Sequence, residues 1–368
     1  MNVQLDFPFV RLKFSDADDR HRRFLDSTFF KLDQQGPAGR QPLAAINIQV
    51  RFRRVVSGRA DATTNNQAAP GPKGFQLEDA VRFHHRRMWV ADTRGCWAEL
   101  PLGRLSERPS HCWLEVEAEF DLYTLLTQVL EPLMAVMLAG QGVAMVHASA
   151  VAKQSSAMVY PAWRHTGKTR LMLELTSQGY SLMADDYCLL AGRQVYSYPK
   201  AINLFSYNLR QHPWLKQQLS VLDQARTSTA MSATTGLQLL SRKLPGGAHK
   251  VAARLAELSE VASNFSLLPS QLGITTTAQA SIDQVVALIP GSDSRRCRLT
   301  AEQLAEIAYQ TIRYEHTRWW NWYRMYRFYR PDATPGSLEM FGERYRGLLA
   351  KLSVPISRHT VAGQSTDR

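Results

Sequence analysis

The chain has 368 residues, of which 45% are hydrophobic and 21% are charged, and its formal net charge at pH 7 is +12. This length allows two domains with a substantial core, and the composition is typical of a soluble globular protein, which excludes a disordered or fibrous chain. The N-terminal sequence MNVQLDFPFVRLKF lacks a basic segment followed by an apolar core, which argues against a signal peptide. Four scattered cysteines without metal-ligand spacing then favour a reduced, cytoplasmic protein.

The first 120 residues are predicted to form a small β-rich accessory domain. Residues 44–55 have the composition of a strand, and residues 112–120 alternate apolar and acidic side chains as a half-buried strand does. Between these strands, residues 57–73 are rich in Gly, Ala, Asn, Thr and Pro, which predicts a flexible excursion. We place the domain boundary near residue 120.

The most apolar stretch of the chain covers residues 122–140 and contains Gln128, Glu131 and Pro132. A membrane-spanning helix rarely contains these three residues together. We therefore predict a buried helix with a kink at Pro132 and no transmembrane segment.

Residues 146–186 have the order of elements that a phosphate-binding loop requires. A strand-like run at 158–160 leads to Thr166-Gly167-Lys168-Thr169, a helical pattern follows until Gly179, and a second strand-like run ends at Asp185-Asp186. Backbone N–H groups at a helix N-terminus attract anions, the lysine and hydroxyl contact phosphate and magnesium, and carboxylates arrive on the second strand. The pattern predicts nucleotide binding in an α/β fold; an ordinary βαβ unit with a chance lysine is the alternative.

The loop departs from the usual pattern G-x-x-x-x-G-K-[ST]. Ala162 takes the first glycine position, Pro161 before it has no N–H group, and Trp163, Arg164 and His165 are bulky. A non-glycine residue forced to positive φ would introduce strain of roughly 1–3 kcal/mol. Direct contacts of Arg164 or His165 with the phosphates could offset this strain. The alternative is that the site no longer binds a nucleotide.

Three segments in this order resemble the HPr kinase/phosphorylase family and its relatives, which share a phosphoenolpyruvate-carboxykinase-like nucleotide fold. They are Val146-His147-Ala148, Gly167-Lys168-Thr169 and Ala184-Asp185-Asp186, and Tyr198-Pro199-Lys200 is also similar to the relatives. The resemblance covers roughly residues 140–310. It implies an α/β fold with an HPr kinase-like nucleotide-binding core over residues 121–356, including a C-terminal helical segment.

The resemblance also implies a role for each matching residue. Lys168 would hold the β- and γ-phosphates, Thr169 and Asp185 would serve Mg²⁺, Asp186 would be the general base, and His147 would lie beside the transferred phosphoryl group. The residues expected to bind ATP are Ala162, Trp163, Arg164, His165, Thr166, Gly167, Lys168, Thr169 and Arg170. HPr enzymes tend to have an acid at the position of Arg170, so phosphorylase activity is not expected. The family's tendency to oligomerise leaves a homo-oligomer open.

Each of these residues also has a structural alternative. His147 lies in an apolar strand and could be a core histidine, while Asp185-Asp186 could cap a strand-to-turn transition. Further along, residues 223–280 are loosely patterned and contain four cations that are candidates for substrate contact or members of a solvated loop. They are Arg242, Lys243, Lys250 and Arg254.

The capping box Thr300-Ala301-Glu302-Gln303 predicts a helix that continues to Arg330, before Pro331. Residues 313–330 carry an aromatic stripe with arginines roughly opposite. The stripe consists of Trp319, Trp322, Tyr323, Tyr326 and Tyr329. Core packing is the favoured interpretation, a protein or peptide partner comes second, and contact with nucleic acid or a membrane surface is least favoured. The polar residues 357–368 are predicted to form a disordered tail.

The leading hypothesis is an ATP- and Mg²⁺-dependent kinase that phosphorylates a hydroxyl of a protein, a peptide or a small molecule. The first alternative is a catalytically degenerate nucleotide-binding or partner-binding module of the same fold. The second is a basic nucleic-acid-associated protein, supported by the net charge and by residues 313–330.

Overall fold

The computed structural model describes most of the chain, and several predicted features lie outside the described residues. The described ranges are 1–30, 46–53, 75–78, 81–84, 87–103, 105, 110–164, 166–219, 265–291, 296–332 and 336–362. The predicted excursion at 57–73, the four cations between 242 and 254, His165 and residues 363–368 lie outside them.

The first sheet is formed by strands from the N-terminal third of the chain. In the described residues its strands follow the order β1-β2-β3-β8-β7-β6-β5-β4. The strands are β1 (Val3–Phe7), β2 (Val10–Ser15), β3 (Ile46–Arg53), β4 (Phe75–Glu78), β5 (Val81–His84), β6 (Arg87–Ala91), β7 (Trp97–Leu100) and β8 (His111–Glu117). The β2–β3 and β3–β8 pairs are parallel and the other neighbours are antiparallel. Helix α1 (Asp19–Thr28) connects the parallel strands β2 and β3, and the Asp18 carboxylate caps its N-terminus.

A long helical segment follows the first sheet and lies in the protein interior. It consists of α2 (Leu122–Thr124), a π-helical stretch (Leu125–Leu130) and α3 (Glu131–Gly140). The N–H group of Glu131 donates to the carbonyl of Leu126, five residues earlier, as in a π-helix. Pro132 lies in the first turn of α3, and the kink expected there stays a prediction. By length and composition Leu122–Gly140 could cross a membrane, but 72% of its most apolar window is buried inside the protein.

The second sheet contains the strands that surround the candidate site. Among the described residues its order is β10-β9-β12-β13-β16-β18-β17, and β10 also pairs with β16, which closes a ring of strands. The strands are β9 (Ala144–Lys153), β10 (Ser156–Pro161), β11 (Ser181–Ala184), β12 (Tyr187–Ala191), β13 (Gln194–Ser197), β16 (Gln279–Gly291), β17 (Arg296–Arg298) and β18 (Ile356–Ala362). Helix α4 (Lys168–Ser177) follows β10, and β11 pairs with β9.

A two-stranded sheet and short helices lie between β13 and β16. Strand β14 (Ile202–Leu204) pairs with β15 (Phe265–Leu267), and α5 (Ser206–Gln211) follows β14 directly. Two short 3₁₀ helices occur at Pro213–Gln218 and Pro269–Leu272.

The C-terminal helical segment differs from the single helix that the sequence predicts. Thr300 and Gln303 form the predicted capping box, but α6 (Ala301–Glu315) ends at His316, and α7 (Thr317–Tyr329) begins after it. The prediction of one continuous helix is therefore wrong at His316, whose ring is buried and bonded to Tyr187. Helices α8 (Gly336–Glu339) and α9 (Phe341–Ala350) complete the segment.

Two further sequence predictions can be compared with this region. Trp319, Trp322 and Tyr326 of the aromatic stripe are buried, as core packing predicts, whereas Tyr329 is 40% exposed. A partner for residues 313–330 remains a prediction. The predicted disordered tail is wrong for residues 357–362, because they belong to β18, which pairs with β16 and β17.

The fold is mixed α/β, and among the described residues its largest apolar cluster includes residues of both large sheets. Helix α3 is buried along almost its entire length and contacts both β3 of the first sheet and β9 of the second. The change from the first sheet to the second falls between Glu117 and Ala144, a span that includes residue 120. The division into two domains at that residue stays a prediction, since the core crosses it.

Candidate active site

Strand β9 organises the candidate site because it holds the loop on one side and the two aspartates on the other. His147 pairs with Tyr187 of β12, and the N–H group of Ala148 donates to the Asp186 carbonyl at 3.1 Å. On the other side, the N–H group of Ala162 donates to the His147 carbonyl at 3.3 Å. The sheet therefore brings together the three segments on which the family resemblance depends.

The loop ends at Gly167, which precedes α4 with φ of 86°. This left-handed conformation favours glycine at that position. The other described loop residues do not have positive φ, so the strain expected at a non-glycine position is not found there. Ala162 instead extends β10 through a bridge to Leu288, which explains why a glycine is not needed at the start of the loop.

Lys168 is the first residue of α4 and is only 8% exposed. Its Nζ donates to the carbonyl oxygens of Ala162 and Trp163, each at 3.1 Å. Burial lowers the pKa of Lys168, although Asp186 and Asp185 act in the opposite direction. The ammonium therefore lies against the loop and faces the cavity at the helix N-terminus.

The bulky loop residues contact the C-terminal end of α6. The rings of Trp163 and Tyr314 have centroids 4.2 Å apart, and Arg164 Nε donates to Glu315 Oε2 at 2.6 Å. Arg164 also lines the cavity. Its expected contact with phosphate stays a prediction. These contacts give the aromatic and basic side chains a structural partner 151 residues away in the chain.

Asp185 is buried and hydrogen-bonded on both sides. Thr169 Oγ1 donates to Asp185 Oδ2 at 3.2 Å, and Ser149 Oγ donates to the Asp185 carbonyl at 2.9 Å and to Oδ1 at 3.3 Å. Burial, with a contribution from the Asp186 charge, raises the pKa of Asp185 to about 6. The carboxylate is ionised at neutral pH and gains a proton in mildly acidic solution.

Asp186 has two cationic or protonatable neighbours. Lys200 Nζ lies 2.8 Å from Oδ2, and His147 Nε2 lies 3.2 Å from Oδ1. Burial by itself would raise the pKa of Asp186, but Lys200 and His147 outweigh it and hold the pKa well below its usual range. Asp186 is therefore a permanent carboxylate at the cavity wall, with 28% of its side chain exposed.

Behind this pair lies a buried carboxylate that sequence reasoning did not assign to the site. Glu131 Oε1 lies 2.9 Å from Lys200 Nζ and accepts a hydrogen bond from Tyr198 Oη at 3.3 Å. Burial raises the pKa of Glu131. The signal for it in the sequence was an acid inside an otherwise apolar helix, because an acid buried there requires a partner.

His147 lies between two carboxylates and is 5% exposed. Its Nδ1 is 3.3 Å from Glu315 Oε1, although in the described structure neither atom has a partner in hydrogen-bond geometry. Glu315, at the end of α6, is the second residue that the sequence did not reveal. Next to it, His316 is buried against Tyr187, and burial lowers the pKa of His316 to about 3, so its ring stays neutral at ordinary pH.

These side chains surround a cavity of about 390 Å³, a size suited to a small ligand. The lining residues are Tyr123, Thr127, Gln128, Glu131, His147, Arg164, Gly167, Lys168, Thr169, Arg170, Asp185, Asp186, Tyr187, Lys200, Asn203, Phe205, Asn208 and Glu315. Of the predicted site residues, the structure thus brings together His147, Arg164, Asp185, Asp186 and residues 167–170. Ala162, Trp163 and Thr166 belong to the loop but not to the lining.

The oxygen donors of the site fit a magnesium ion that is shared with a phosphate ligand. In the described part of the chain, no group of three His, Cys, Asp or Glu side chains is arranged to hold a metal. Mg²⁺ usually takes one or two carboxylates together with phosphate oxygens and water. Thr169 Oγ1 and Asp185 Oδ2, at the N-terminus of α4, provide such a partial set.

The described residues thus define a mixed α/β protein with a polar cavity at a strand–loop–helix junction. No protein-family model matches the chain, and no curated protein matches it.

Proposed function

We propose that the protein is a kinase that uses a magnesium nucleotide, ATP in the first instance, to phosphorylate a hydroxyl group. The observation that carries the proposal is that Lys168, Thr169, Asp185 and Asp186 converge on one cavity at the N-terminus of α4. Phosphoryl transfer requires mainly positioning and charge neutralisation, and this set contains a cation, a metal-binding pair and a carboxylate.

Phosphate binding is attributed to the start of α4. The first N–H groups of a helix have no intrahelical acceptor, and the helix dipole favours an anion at that end. Lys168 adds a buried cation and Arg170 an exposed one at the cavity, and in the described residues neither forms an ion pair with a carboxylate. Two of the three Lys168 N–H donors bind the loop carbonyls, and we propose that the third donor and the Arg170 guanidinium contact the polyphosphate.

Thr169 and Asp185 would hold Mg²⁺, which supplies charge neutralisation to the phosphates when it is bound. Asp185 must be ionised for this role, and its pKa of about 6 satisfies the requirement at neutral pH. Ser149 fixes the orientation of the Asp185 carboxylate from the side opposite to Thr169.

Asp186 is proposed to receive the acceptor hydroxyl. As the hydroxyl oxygen bonds to the terminal phosphorus, the bond from that phosphorus to its bridging oxygen breaks, the nucleoside diphosphate leaves, and the hydroxyl proton passes to Asp186. A carboxylate with so low a pKa is a weak base, so its main contribution is orientation, with proton transfer late in the step. Tyr123, Thr127 and Gln128 line the cavity near Asp186 and are proposed to contact the acceptor.

We further propose that residues 121–356 contain an HPr kinase/phosphoenolpyruvate-carboxykinase-like core. The proposal is supported by the strand–loop–helix unit, by the paired aspartates at the end of β11 and by His147 on the adjacent strand. Arg170, at the start of α4, is the reason that phosphorylase activity is not included.

The test is calorimetric titration of Mg-ATP into the purified protein and into Lys168→Ala. Micromolar binding by the wild type and its loss in the variant are expected. Lys13→Ala, on an exposed position of β2, removes the same charge far from the cavity and should leave binding unchanged. A folded wild-type protein that binds no Mg-ATP would contradict the proposal.

A second candidate is a nucleotide-binding module without transfer, and one observation favours it. Lys200 and His147 both bind Asp186, which lowers the basicity of the carboxylate that is proposed to receive the hydroxyl. Asp186→Asn separates the two candidates, because a kinase should lose phosphoryl transfer while it keeps Mg-ATP binding. A binding module should have no transfer activity to lose.

A further inference from the structure

The Glu315 carboxylate lines the cavity but has no part in the phosphoryl chemistry proposed above. It lies at the C-terminal end of α6, and its oxygen Oε2 accepts from Nε of Arg164 and from one of the terminal guanidinium nitrogens. The other oxygen, Oε1, is buried and accepts no hydrogen bond from the residues that the structure describes. Burial by itself would raise the pKa of Glu315, but His147 and Arg164 outweigh it and lower the pKa. Glu315 is therefore a buried carboxylate with one oxygen still to be satisfied.

The ring of His147 supplies a matching atom. Its Nδ1 is buried, lacks a hydrogen-bond partner in the described part of the chain, and lies 3.3 Å from Glu315 Oε1. Strand β9 fixes the backbone of His147, and the Tyr187 ring lies beside the imidazole, with centroids 5.2 Å apart. At this distance a small rotation of either side chain turns the contact into a hydrogen bond. Because a carboxylate can only accept, that bond requires the proton on Nδ1.

The other ring nitrogen of His147 faces Asp186, with Nε2 3.2 Å from Oδ1. Burial alone would raise the pKa of Asp186, but Lys200 and His147 hold it well below its usual range. A proton shared between Asp186 and His147 therefore resides on the ring rather than on the carboxylate. Nε2 can take that proton when the single proton of the neutral ring is on Nδ1.

We propose that Glu315 is a positioning residue that acts through His147: it accepts the Nδ1 proton and leaves Nε2 to receive the proton that the acceptor hydroxyl loses. The O–H bond of the acceptor breaks, its proton passes to Asp186 and then to Nε2, and the two flanking carboxylates compensate the charge of the ring. This inference rests on the proposed kinase function. A weakly basic Asp186 then no longer has to keep the proton, since a histidine oriented by a second carboxylate takes it.

The substitution Glu315→Gln is a sharp test because Arg164 determines the orientation of the new amide. A guanidinium has only donors, so the carbonyl oxygen of the glutamine takes the position of Oε2 and its NH₂ group faces His147 Nδ1. An NH₂ group donates, so Nδ1 must accept and the ring proton moves to Nε2. The substitution reverses the tautomer with little change of shape. Glu306→Gln, at an exposed position of the same helix, is the matched control.

Nitrogen NMR of protein labelled with ¹⁵N in its histidine rings reads the tautomer directly and requires no nucleotide. The His147 signals are those that disappear in His147→Gln. We expect Nδ1 of His147 to carry a proton at pH 7 in the wild type and in Glu306→Gln, and to lose it in Glu315→Gln. Circular dichroism verifies that each variant is folded.

Hydrolysis of Mg-ATP, in which water replaces the acceptor hydroxyl, supplies the second measurement. We expect Glu315→Gln to lower the rate of hydrolysis by about 10- to 100-fold. The calorimetric affinity for Mg-ATP should stay within twofold of the wild type, because the substitution leaves the loop, Lys168 and the metal-binding pair in place. Glu306→Gln should change neither the rate nor the affinity.

Three results would overturn the inference. The first is a wild type in which His147 Nδ1 carries no proton, and the second is the same tautomer in the wild type and in Glu315→Gln. The third is a reversed tautomer with an unchanged rate of hydrolysis, which makes the contact purely structural. A wild type that neither binds nor hydrolyses Mg-ATP overturns the proposed function instead, whatever tautomer the NMR spectra show.

Discussion

Lys200 forms an ion pair with Asp186, with Nζ 2.8 Å from Oδ2, and the same ammonium lies 2.9 Å from Glu131 Oε1. One buried cation thus neutralises two carboxylates. Of these two, Asp186 is the one whose side chain is substantially exposed in the cavity. Burial would lower the pKa of Lys200, but the two carboxylates more than compensate and raise it. The ammonium is therefore a fixed charge that orients Asp186.

Replacement of Lys200 by methionine should destabilise the protein by about 3–5 kcal/mol at pH 7, because it leaves two buried carboxylates without a cation. The double variant Lys200→Met/Glu131→Gln should recover part of this loss. Urea unfolding monitored by circular dichroism measures both, and Lys351→Met, at an exposed position, should change stability by less than about 0.5 kcal/mol. Equal stabilities for the single variant and the wild type would show that the ion pair does not form.

Asp185 should make both stability and ligand binding depend on pH. Because its pKa is about 6 in the folded protein and 3.8 in a model peptide, the folded state holds a proton that the unfolded state has released. Stability contributed by this group is present below about pH 4 and falls by up to about 3 kcal/mol as pH rises to about 6. Magnesium-dependent nucleotide affinity should change in the opposite direction and increase as pH rises through 6.

The pH dependence is assigned to Asp185 by the difference between the wild type and Asp185→Asn. The variant should be the more stable protein above pH 6, and the two curves should approach each other near pH 4. If the difference in unfolding free energy stays constant from pH 4 to 7, the assigned pKa is wrong.

The contact between Arg164 and Glu315 should couple the loop to α6. In a double-mutant cycle with Arg164→Ala and Glu315→Gln, we expect a coupling of about 0.5–3 kcal/mol in unfolding free energy, since the Glu315 side chain is only 5% exposed. A matched cycle on the exposed pair Arg346 and Glu306 should give a smaller value, because solvent screens it. Additive effects of the two site substitutions would contradict the contact.

The aromatic stripe of α7 offers a direct test of core packing. Trp319 is fully buried, and Trp319→Ala should cost about 3–5 kcal/mol in unfolding free energy. Phe328, on the same helix, is 82% exposed, and Phe328→Ala should change stability by no more than about 0.5 kcal/mol. Similar losses for the two variants would mean that α7 packs differently.

The features predictable from the sequence were those encoded locally. The period of apolar residues indicated β9, β10 and α4, and Thr300 and Gln303 indicated the start of α6. The end of β11 placed Asp185 and Asp186 beside the loop because strands deliver their carboxyl ends to a common edge. The mixed α/β class followed from this alternation of elements.

The features that were not predictable depend on contacts between distant residues. The helix break at His316 follows from burial of its ring against Tyr187, which lies 129 positions earlier. Glu131 and Glu315 enter the site from helices whose patterns indicated only packing. The strand at residues 357–362 has a polar composition, and its pairing with β16 and β17 is a tertiary effect that overrides composition.

The position of β18 determines when the second sheet can be completed during synthesis. This strand lies between β16 and β17, so the last described residues of the chain occupy an interior position of the sheet. Until the residues of β18 leave the ribosome, the nascent chain exposes the edge of β16, and an exposed strand edge is a hazard for aggregation. Truncations that remove residues 356–362 therefore uncover this edge, although the polar composition of the segment suggests that it is dispensable.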